Sequence, residues 1–226
     1  MPRARVLIFA KYPEPGRVKT RLVGPLSPVE AAELHRASLL AVCEAVTACD
    51  GLDVTLVVTP DDRATALGSI VPDALHDCWR QGDGDLGARL TRACRGAFDE
   101  GAGPVILLGA DSPTLPIAYL LDAVDRLAEH DVVLGPCDDG GYYLLGLGRH
   151  IPQLFERIDW GSGDVATQTC NRAIEAGVDL HELPGWYDLD RYEDLARAAG
   201  DLSSMIDASR PAANALRRLI ESYLER

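Results

Sequence analysis

Apolar stretches of strand length recur along the first two thirds of the chain, separated by polar segments. The first three are continuous rather than alternating, which is typical of strands covered on both faces of a sheet. The pattern therefore predicts a mostly parallel sheet. Its predicted strands cover residues 5–10, 53–59, 104–110, 131–136 and 141–147.

The segments between these strands carry the period of amphipathic helices. The clearest begins at Ser27, where Ser-Pro-Val-Glu offers an N-cap serine, a first-turn proline and Glu30 for a capping box. Strands that alternate with helices predict one α/β domain over residues 1–226, with a mostly parallel central sheet flanked by helices. The predicted helices cover residues 27–48, 85–99, 116–129, 164–176, 191–200 and a C-terminal helix from residue 203.

Composition and charge exclude several classes of function. A formal net charge of −13 argues against a general nucleic-acid binder, which needs a broad basic surface. The apolar runs are far shorter than the roughly 20 residues of a membrane helix, and the N-terminus lacks the pattern of a signal peptide. Six scattered cysteines with no close pair predict free thiols in a reducing cytoplasm. The oligomeric state stays open.

The positive charge of this acidic chain is concentrated in the stretch FAKYPEPGRVKTRL, residues 9–22. It follows the first strand, and Gly16 allows close approach of a ligand to the backbone. Converging basic side chains suit a polyphosphate, whereas the alternative is a solvated connecting loop. A P-loop is excluded because neither glycine of its pattern is in place. The basic residues of the stretch are Lys11, Arg17, Lys19 and Arg21.

Aspartates occur at two points of the chain where a metal-bound ligand is a candidate, the end of a predicted strand and the start of a predicted helix. Asp111 ends the 104–110 strand, at the edge where α/β sheets bind ligands. A hard carboxylate there would bind Mg²⁺ beside a polyphosphate, although a turn or N-cap role is the alternative. Asp188 and Asp190 either complete this metal site, with Mg²⁺ or Mn²⁺, or serve a helix start.

Two glycine-rich segments are further candidates. Asp139-Gly140-Gly141 is predicted to form a hairpin turn, with or without a ligand on its backbone amides. The stretch QGDGDLGARL, residues 81–90, precedes a helix and suits either a nucleotide or a plain loop. Its candidate nucleotide contacts are Gly84, Leu86 and Gly87.

Five segments together resemble the DUF2064 family: FAKYPEPGRVKTRL, GADSPTLP, GPCDDGGYYLLGL, IDWGSGDV and DLDRYEDL. The match runs from about residue 5 to 200. The resemblance implies a nucleotide-diphospho-sugar-transferase (GT-A) fold, and members of this family are often labelled glycosyltransferases.

The start of the chain is also similar to guanylyltransferases that activate small phosphorylated acids for the deazaflavin cofactor. This resemblance implies that Lys11, Lys19 and Arg21 bind nucleotide phosphates and that the three aspartates at 111, 188 and 190 hold metal. It assigns the acceptor to the segment Asp139, Gly140, Gly141 and Tyr142. Lys19 and Asp111 are the candidate catalytic residues.

Three functions remain open from the sequence. The first is nucleotidyl transfer from an NTP to a small phosphorylated acceptor, and the second is glycosyl transfer from an NDP-sugar. The third is a nucleotide-binding domain without catalysis. The chain carries Asp111-Ser112-Pro113 where sugar-transferring GT-A enzymes usually carry Asp-x-Asp, which favours the first. Nucleotidyl transfer needs no protein nucleophile, and no histidine is assigned as a general base.

Overall fold

A computed structural model of the chain describes residues 2–71, 75, 77–205 and 209–226. Within these residues, seven strands form one sheet in the order β3-β2-β1-β4-β6-β5-β7. The five predicted strands are present, and the short β3 and β7 are additions that the sequence pattern did not indicate. The strands are β1 Ala4–Lys11, β2 Leu52–Thr59, β3 Asp77–Arg80, β4 Val105–Gly109, β5 Val132–Pro136, β6 Tyr142–Leu147 and β7 Leu180–Glu182.

Helices flank the sheet, and the capping box predicted for the first of them is confirmed. Ser27 Oγ accepts from the amide of Glu30 at 3.3 Å, and Glu30 Oε2 accepts from the amide of Ser27 at 2.8 Å. None of the helices in the described residues is long and apolar enough to cross a membrane. The helices are α1 Pro28–Thr47, α2 Ala64–Gly68, α3 Leu86–Asp99, α4 Ile117–Arg126, α5 Val165–Ala176, α6 Asp194–Ser204 and α7 Pro211–Leu224.

The C-terminal helix predicted from residue 203 is wrong in its start. Residues 203 and 204 complete α6, residues 206–208 lie outside the described part of the chain, and α7 begins at Pro211. Proline lacks an amide hydrogen and clashes with the preceding turn, so it begins a helix far more readily than it continues one.

The sheet carries apolar side chains on both faces, as the continuous apolar runs predicted. On β1, Val6 and Ile8 pack into the cluster on one face, whereas Leu7 packs into the cluster on the other. Strands β1 to β4 are parallel, and β6 runs antiparallel between β4 and β5. The turn between β5 and β6 therefore lies at the same sheet edge as the residues that follow β1 and β4.

A third apolar cluster joins distant segments beside this edge. Leu22, from the segment after β1, and Leu189, from the segment before α6, are both fully buried in it. Helices α1, α6 and α7 supply most of its remaining members. Because the cluster fixes Leu22 and Leu189, the polar residues adjacent to them are brought to the edge of the sheet together.

Two glycine segments are packed directly on each other at this edge. Gly140, in the β5–β6 turn, has a φ of +87°, and a Cβ placed on it would lie 1.8 Å from the carbonyl oxygen of Gly163. The Gly140 carbonyl accepts from the amide of Ala166 at 2.9 Å. The turn and the segment before α5 consequently form one packed unit, which only glycine at 140 permits.

We expect Gly140→Ala to destabilise the protein more than Gly161→Ala. Both positions have a positive φ, but a Cβ at Gly161 meets nothing within 4 Å. The backbone strain is therefore matched, and the difference isolates the clash with Gly163, which we expect to cost about 1–3 kcal/mol. Urea unfolding of both variants measures it, and equal unfolding free energies would contradict the close packing.

Candidate functional site

The centre of the site is the buried ammonium group of Lys19, which binds two carboxylates. Its side chain is 2% exposed, and Nζ contacts Asp111 Oδ1 and, at 2.8 Å, Asp190 Oδ1. Burial disfavours the charge, but the two carboxylates outweigh it and raise the pKa of Lys19 above its ordinary value. Lys19 is therefore a permanent cation between these aspartates.

The backbone of Lys19 is held in an unusual conformation that directs the side chain inward. Its φ of 47° and ψ of 40° are left-handed, which is costly for a residue with a Cβ. Val18 and Leu22, on either side, are buried and keep the segment in place. Core packing thus maintains the strained turn from which the ammonium reaches the two aspartates.

Asp111 lies where β4 ends and is joined to the segment that carries the other two aspartates. Its carbonyl accepts from the amide of Leu189 at 2.8 Å. Burial acts to raise the pKa of its carboxyl, but Lys19 and then His35 hold that pKa well below its usual range. The carboxylate is 43% exposed and ionised, so it can still meet a ligand.

His35, on α1, is a site residue that the sequence did not reveal. It is 4% exposed, its Nε2 lies 2.9 Å from the carbonyl oxygen of Lys11, and its Nδ1 faces Asp111 Oδ1 at 3.7 Å. Because a carbonyl can only accept, Nε2 carries the proton. Nδ1 is buried without a hydrogen-bond partner among the described residues. A histidine at a helical core position gives no sequence signal for such a role.

Asp188 differs from its two neighbours because it forms no ion pair with a cation among the described residues. Its Oδ1 accepts from Ser112 Oγ at 2.5 Å and from Cys137 Sγ at 3.5 Å. Burial, and next the charge of Asp111, raise the pKa of Asp188 from 3.8 to about 6. This carboxylate is therefore the least compensated negative charge of the three.

Two carboxylates of the site, with a thiol beside them, lie close enough together to hold a divalent cation. Cys137, Asp139 and Asp188 bring a thiol sulfur and two carboxylate oxygens within 4.8 Å of one another. Carboxylate oxygens are the ligands that Mg²⁺ and Mn²⁺ prefer. Asp188 belongs both to this group and to the predicted metal set, whereas Asp111 and Asp190 share the ammonium of Lys19.

A cleft of about 640 Å³ opens beside these carboxylates. The predicted acceptor residues Asp139, Gly141 and Tyr142 line it, as do Asp188 and Asp190. Aromatic and basic side chains that no sequence motif indicated as site residues complete the wall. They are Trp160, Tyr187, Arg191 and Arg197.

The remaining basic residues of the first loop are placed at the surface. Arg21 NH1 lies 3.4 Å from Asp190 Oδ2, and its side chain is 56% exposed. Lys11 and Arg17 are exposed, and Gly16 has a φ of +76°. The four predicted cations therefore differ in burial, because the side chain of Lys19 is buried in the site while the other three are exposed to solvent.

The loop at residues 81–85 is fixed by its own side chains. Gln81 is buried and donates to the carbonyl of Val57 at 3.0 Å, while Arg92 donates to the carbonyls of Gln81 and Asp83. Asp85 caps α3 by accepting from the amide of Ala88 at 2.8 Å. The loop thus enters α3 with a preset shape.

The predicted nucleotide contacts in this region have different surroundings. Leu86 is 42% exposed and lines both the large cleft and an apolar cavity of about 130 Å³. A Cβ at Gly87 would lie 2.6 Å from the carbonyl oxygen of Phe155, so close packing explains that glycine. Gly84 has a φ of +101°, which explains glycine there as well.

The fold and the site first indicate the general class of protein to which the chain belongs. The chain shares its fold with CMP:2-keto-3-deoxy-manno-octonic acid synthetase complexed with CTP, at a TM-score of 0.56 and 13% identity over 90% of this chain and 100% of that chain. A "putative nucleotide-diphospho-sugar transferase" from Desulfovibrio desulfuricans G20 matches far more closely. The TM-score is 0.85, with 31% identity over 99% of both chains. These similarities support a transferase with a GT-A-like fold.

The chain belongs to the DUF2064 family. The family model, described as "Uncharacterized protein conserved in bacteria (DUF2064)", matches residues 42–162, a range that includes Asp111 but neither Lys19 nor Asp190. The Bifunctional protein GlmU of Xanthobacter autotrophicus is 29% identical over 199 residues, which are 80% of this chain and 44% of that protein. The chain spans less than half the length of the curated relatives it matches.

We expect Asp188→Asn to stabilise the metal-free protein at pH 8 by about 1–3 kcal/mol. The pKa of Asp188 is about 6 in the native protein and ordinarily 3.8. Between pH 3.8 and pH 6 the native protein therefore binds more protons than the unfolded protein. The free energy of unfolding of the wild type therefore falls as the pH rises from about 3.8 to about 6. The amide of the variant does not titrate in this range, so the variant does not lose this stability.

Chemical unfolding in EDTA at pH 4 and pH 8 measures this effect. The advantage of Asp188→Asn is expected in full at pH 8 and is expected to be small at pH 4, close to the ordinary pKa of 3.8. Asp139→Asn is the matched control, because Asp139 is exposed and an amide oxygen can still accept from Gly141. A variant that is less stable than wild type at pH 8 would contradict the unpaired charge at Asp188.

Proposed function

We propose that the protein transfers a nucleotidyl group from an NTP to a small phosphorylated acceptor and depends on Mg²⁺ or Mn²⁺. One observation carries this proposal: a buried cation, Lys19, lies between Asp111 and Asp190 at the edge of a large cleft. Nucleotidyl transfer requires cations beside metal-binding carboxylates, because negative charge builds on the leaving pyrophosphate. The stated resemblance to nucleotide-using transferases supports the same chemistry.

The nucleotide would lie over the first loop and the start of α3. Lys11, Arg17, Lys19 and Arg21 would bind its phosphates, with Gly16 allowing the loop to approach them. Leu86 and the apolar cavity beside it offer a surface for the base. Gly84 and Gly87 would shape this surface, since their tight packing determines the course of the backbone there.

The acceptor would occupy part of the cleft of about 640 Å³ beside the carboxylates. Asp139, Gly141 and Tyr142 line it, and Gly140 keeps the turn in place against Gly163. Arg191 and Arg197 are cations at the same wall that suit an anionic acceptor.

Asp111, Asp188 and Asp190 would hold the divalent cation, with Asp139 close to Asp188. Such a cation supplies charge neutralisation on the phosphates. Lys19 would bind the oxygens that gain charge as the reaction proceeds. An acceptor phosphate oxygen would form a bond to the α-phosphorus while the bond from that phosphorus to the bridging oxygen breaks, and pyrophosphate leaves with the electron pair. This chain's residues would act by positioning and charge, without a covalent intermediate.

Glycosyl transfer from an NDP-sugar is the second candidate, and the similarity to the Desulfovibrio protein favours it. Against it, Ser112 and Pro113 follow Asp111, so the second carboxylate of an Asp-x-Asp pair is not there. A binding domain without catalysis is the third candidate, although both the carboxylates and the buried cation are intact. The cytoplasm is the compartment we propose, since Cys43, Cys94 and Cys137 are buried free thiols.

The reaction itself is tested by the release of pyrophosphate. We expect one NTP, with Mg²⁺ and a panel of phosphorylated or phosphonylated small acids, to yield pyrophosphate. Asp111→Asn should reduce turnover by at least about a hundredfold while keeping the fold, because an amide retains the shape without the charge. If no NTP binds or yields pyrophosphate, while an NDP-sugar binds with Mg²⁺ and is slowly hydrolysed, glycosyl transfer is the function.

Binding of the nucleotide is tested separately by calorimetry. Lys19→Ala and Arg21→Ala should each weaken NTP binding, by about 1.5–3 kcal/mol if each cation makes one charge-assisted hydrogen bond. The more exposed Arg21 should show the stronger dependence on salt. Unchanged affinity in both variants would assign the loop to a connecting role.

A further inference from the structure

The ammonium of Lys19 occupies the position between two of the aspartates that the proposed function assigns to a metal. It contacts Asp111 Oδ1 and lies 2.8 Å from Asp190 Oδ1, with its side chain 2% exposed. A cation and a divalent metal cannot share these oxygens without strong repulsion at such distances. The protein therefore already contains a counter-ion for this pair.

Arg21 adds to the neutralisation of the same pair, since its NH1 lies 3.4 Å from Asp190 Oδ2. By contrast, no ion pair involves Asp139 or Asp188 in the described part of the chain. The site is thus divided into a compensated half, which contains Lys19, and an uncompensated half around Asp188.

We propose that Lys19 keeps a divalent cation away from Asp111 and Asp190 until a polyphosphate draws the ammonium away, so that metal and nucleotide bind together. This inference rests on the proposed function, because the polyphosphate is the nucleotide's. Phosphate oxygens replace the two carboxylates as partners of Lys19, and the carboxylates become available to the metal. By linkage, each ligand then tightens the binding of the other by the same factor.

The proposed exchange would move the side chain of Lys19 and not its backbone. Val18 and Leu22 are buried on either side of Lys19 and fix its Cα. The side chain has four rotatable bonds, so a change of rotamer carries the ammonium from carboxylate to phosphate. Arg21, which is 56% exposed, has no comparable position between the two aspartates.

The first test measures Mn²⁺ affinity without any nucleotide, by the paramagnetic resonance signal of free Mn²⁺. Lys19→Met removes the charge and keeps an unbranched apolar side chain. We expect it to bind Mn²⁺ roughly tenfold more tightly than wild type, or more. Arg21→Met is the matched control and should change the affinity by less than about threefold. In Lys19→Met with Asp111→Asn, the gain should disappear.

Three results would overturn the proposal: an unchanged or weaker affinity in Lys19→Met, an equal gain in Arg21→Met, or a gain that survives Asp111→Asn. The assay contains no nucleotide, so it is independent of the reaction. A gain in Lys19→Met combined with no pyrophosphate from any NTP would preserve the competition for the carboxylates and reject nucleotidyl transfer.

A second test uses the wild type and does not depend on the folding of a variant. Lys11 and Lys19 are the two lysines of the chain, so protein labelled with ¹³C at the lysine Cε gives two signals. Lys11→Arg assigns them. We expect Mg²⁺ alone to leave the Lys19 signal in place, and Mg²⁺ with tripolyphosphate to shift it. A full shift with Mg²⁺ alone, or none under either condition, would contradict the exchange.

Discussion

Burying one ammonium group is the constraint on which the rest of this site depends. Removal of a charge from water costs several kcal/mol unless it is paired, and Lys19 obtains its pairing from Asp111 and Asp190, far away in the chain. The ends of β1 and β4 and the segment before α6 must therefore meet. Apolar packing of Leu22 and Leu189 supplies the free energy for that meeting, since ion pairs alone rarely do.

Much of the fold was predictable because its signals are local. The capping box at Ser27 and the continuous apolar strands depend on residues close in sequence, and both are present. The short β3 and β7 have four and three residues. They are strands because they pair with β2 and β5, and their own pattern of apolar residues does not indicate a strand. The start of α7 was missed because the periodic pattern continues on both sides of Pro211.

The sequence predicted that Asp111 and Lys19 lie at this edge of the sheet, but not what they contact there. Asp111 was identifiable because it follows a predicted strand. Lys19 was identifiable because it lies in a basic stretch of an acidic chain. Nothing in the sequence indicates that Lys19 alone of four cations turns inward, because a left-handed backbone and two buried neighbours determine it. His35 and Cys137 have helical and strand-end positions that suit a core, so only the structure shows them facing Asp111 and Asp188.

The apolar cluster that seats Leu22 and Leu189 also contains Leu216 and Ile220 of α7. The polar groups of the site are thus supported by an apolar cluster, and some residues of this cluster lie away from the site on the C-terminal helix. Selection on the reaction would extend to those residues, because a lost methyl group there shifts the same cluster. The buried residues of α7 would then evolve as slowly as the residues of the site. A map of tolerated substitutions would therefore show low tolerance in the apolar cluster as well as at the polar surface of the site.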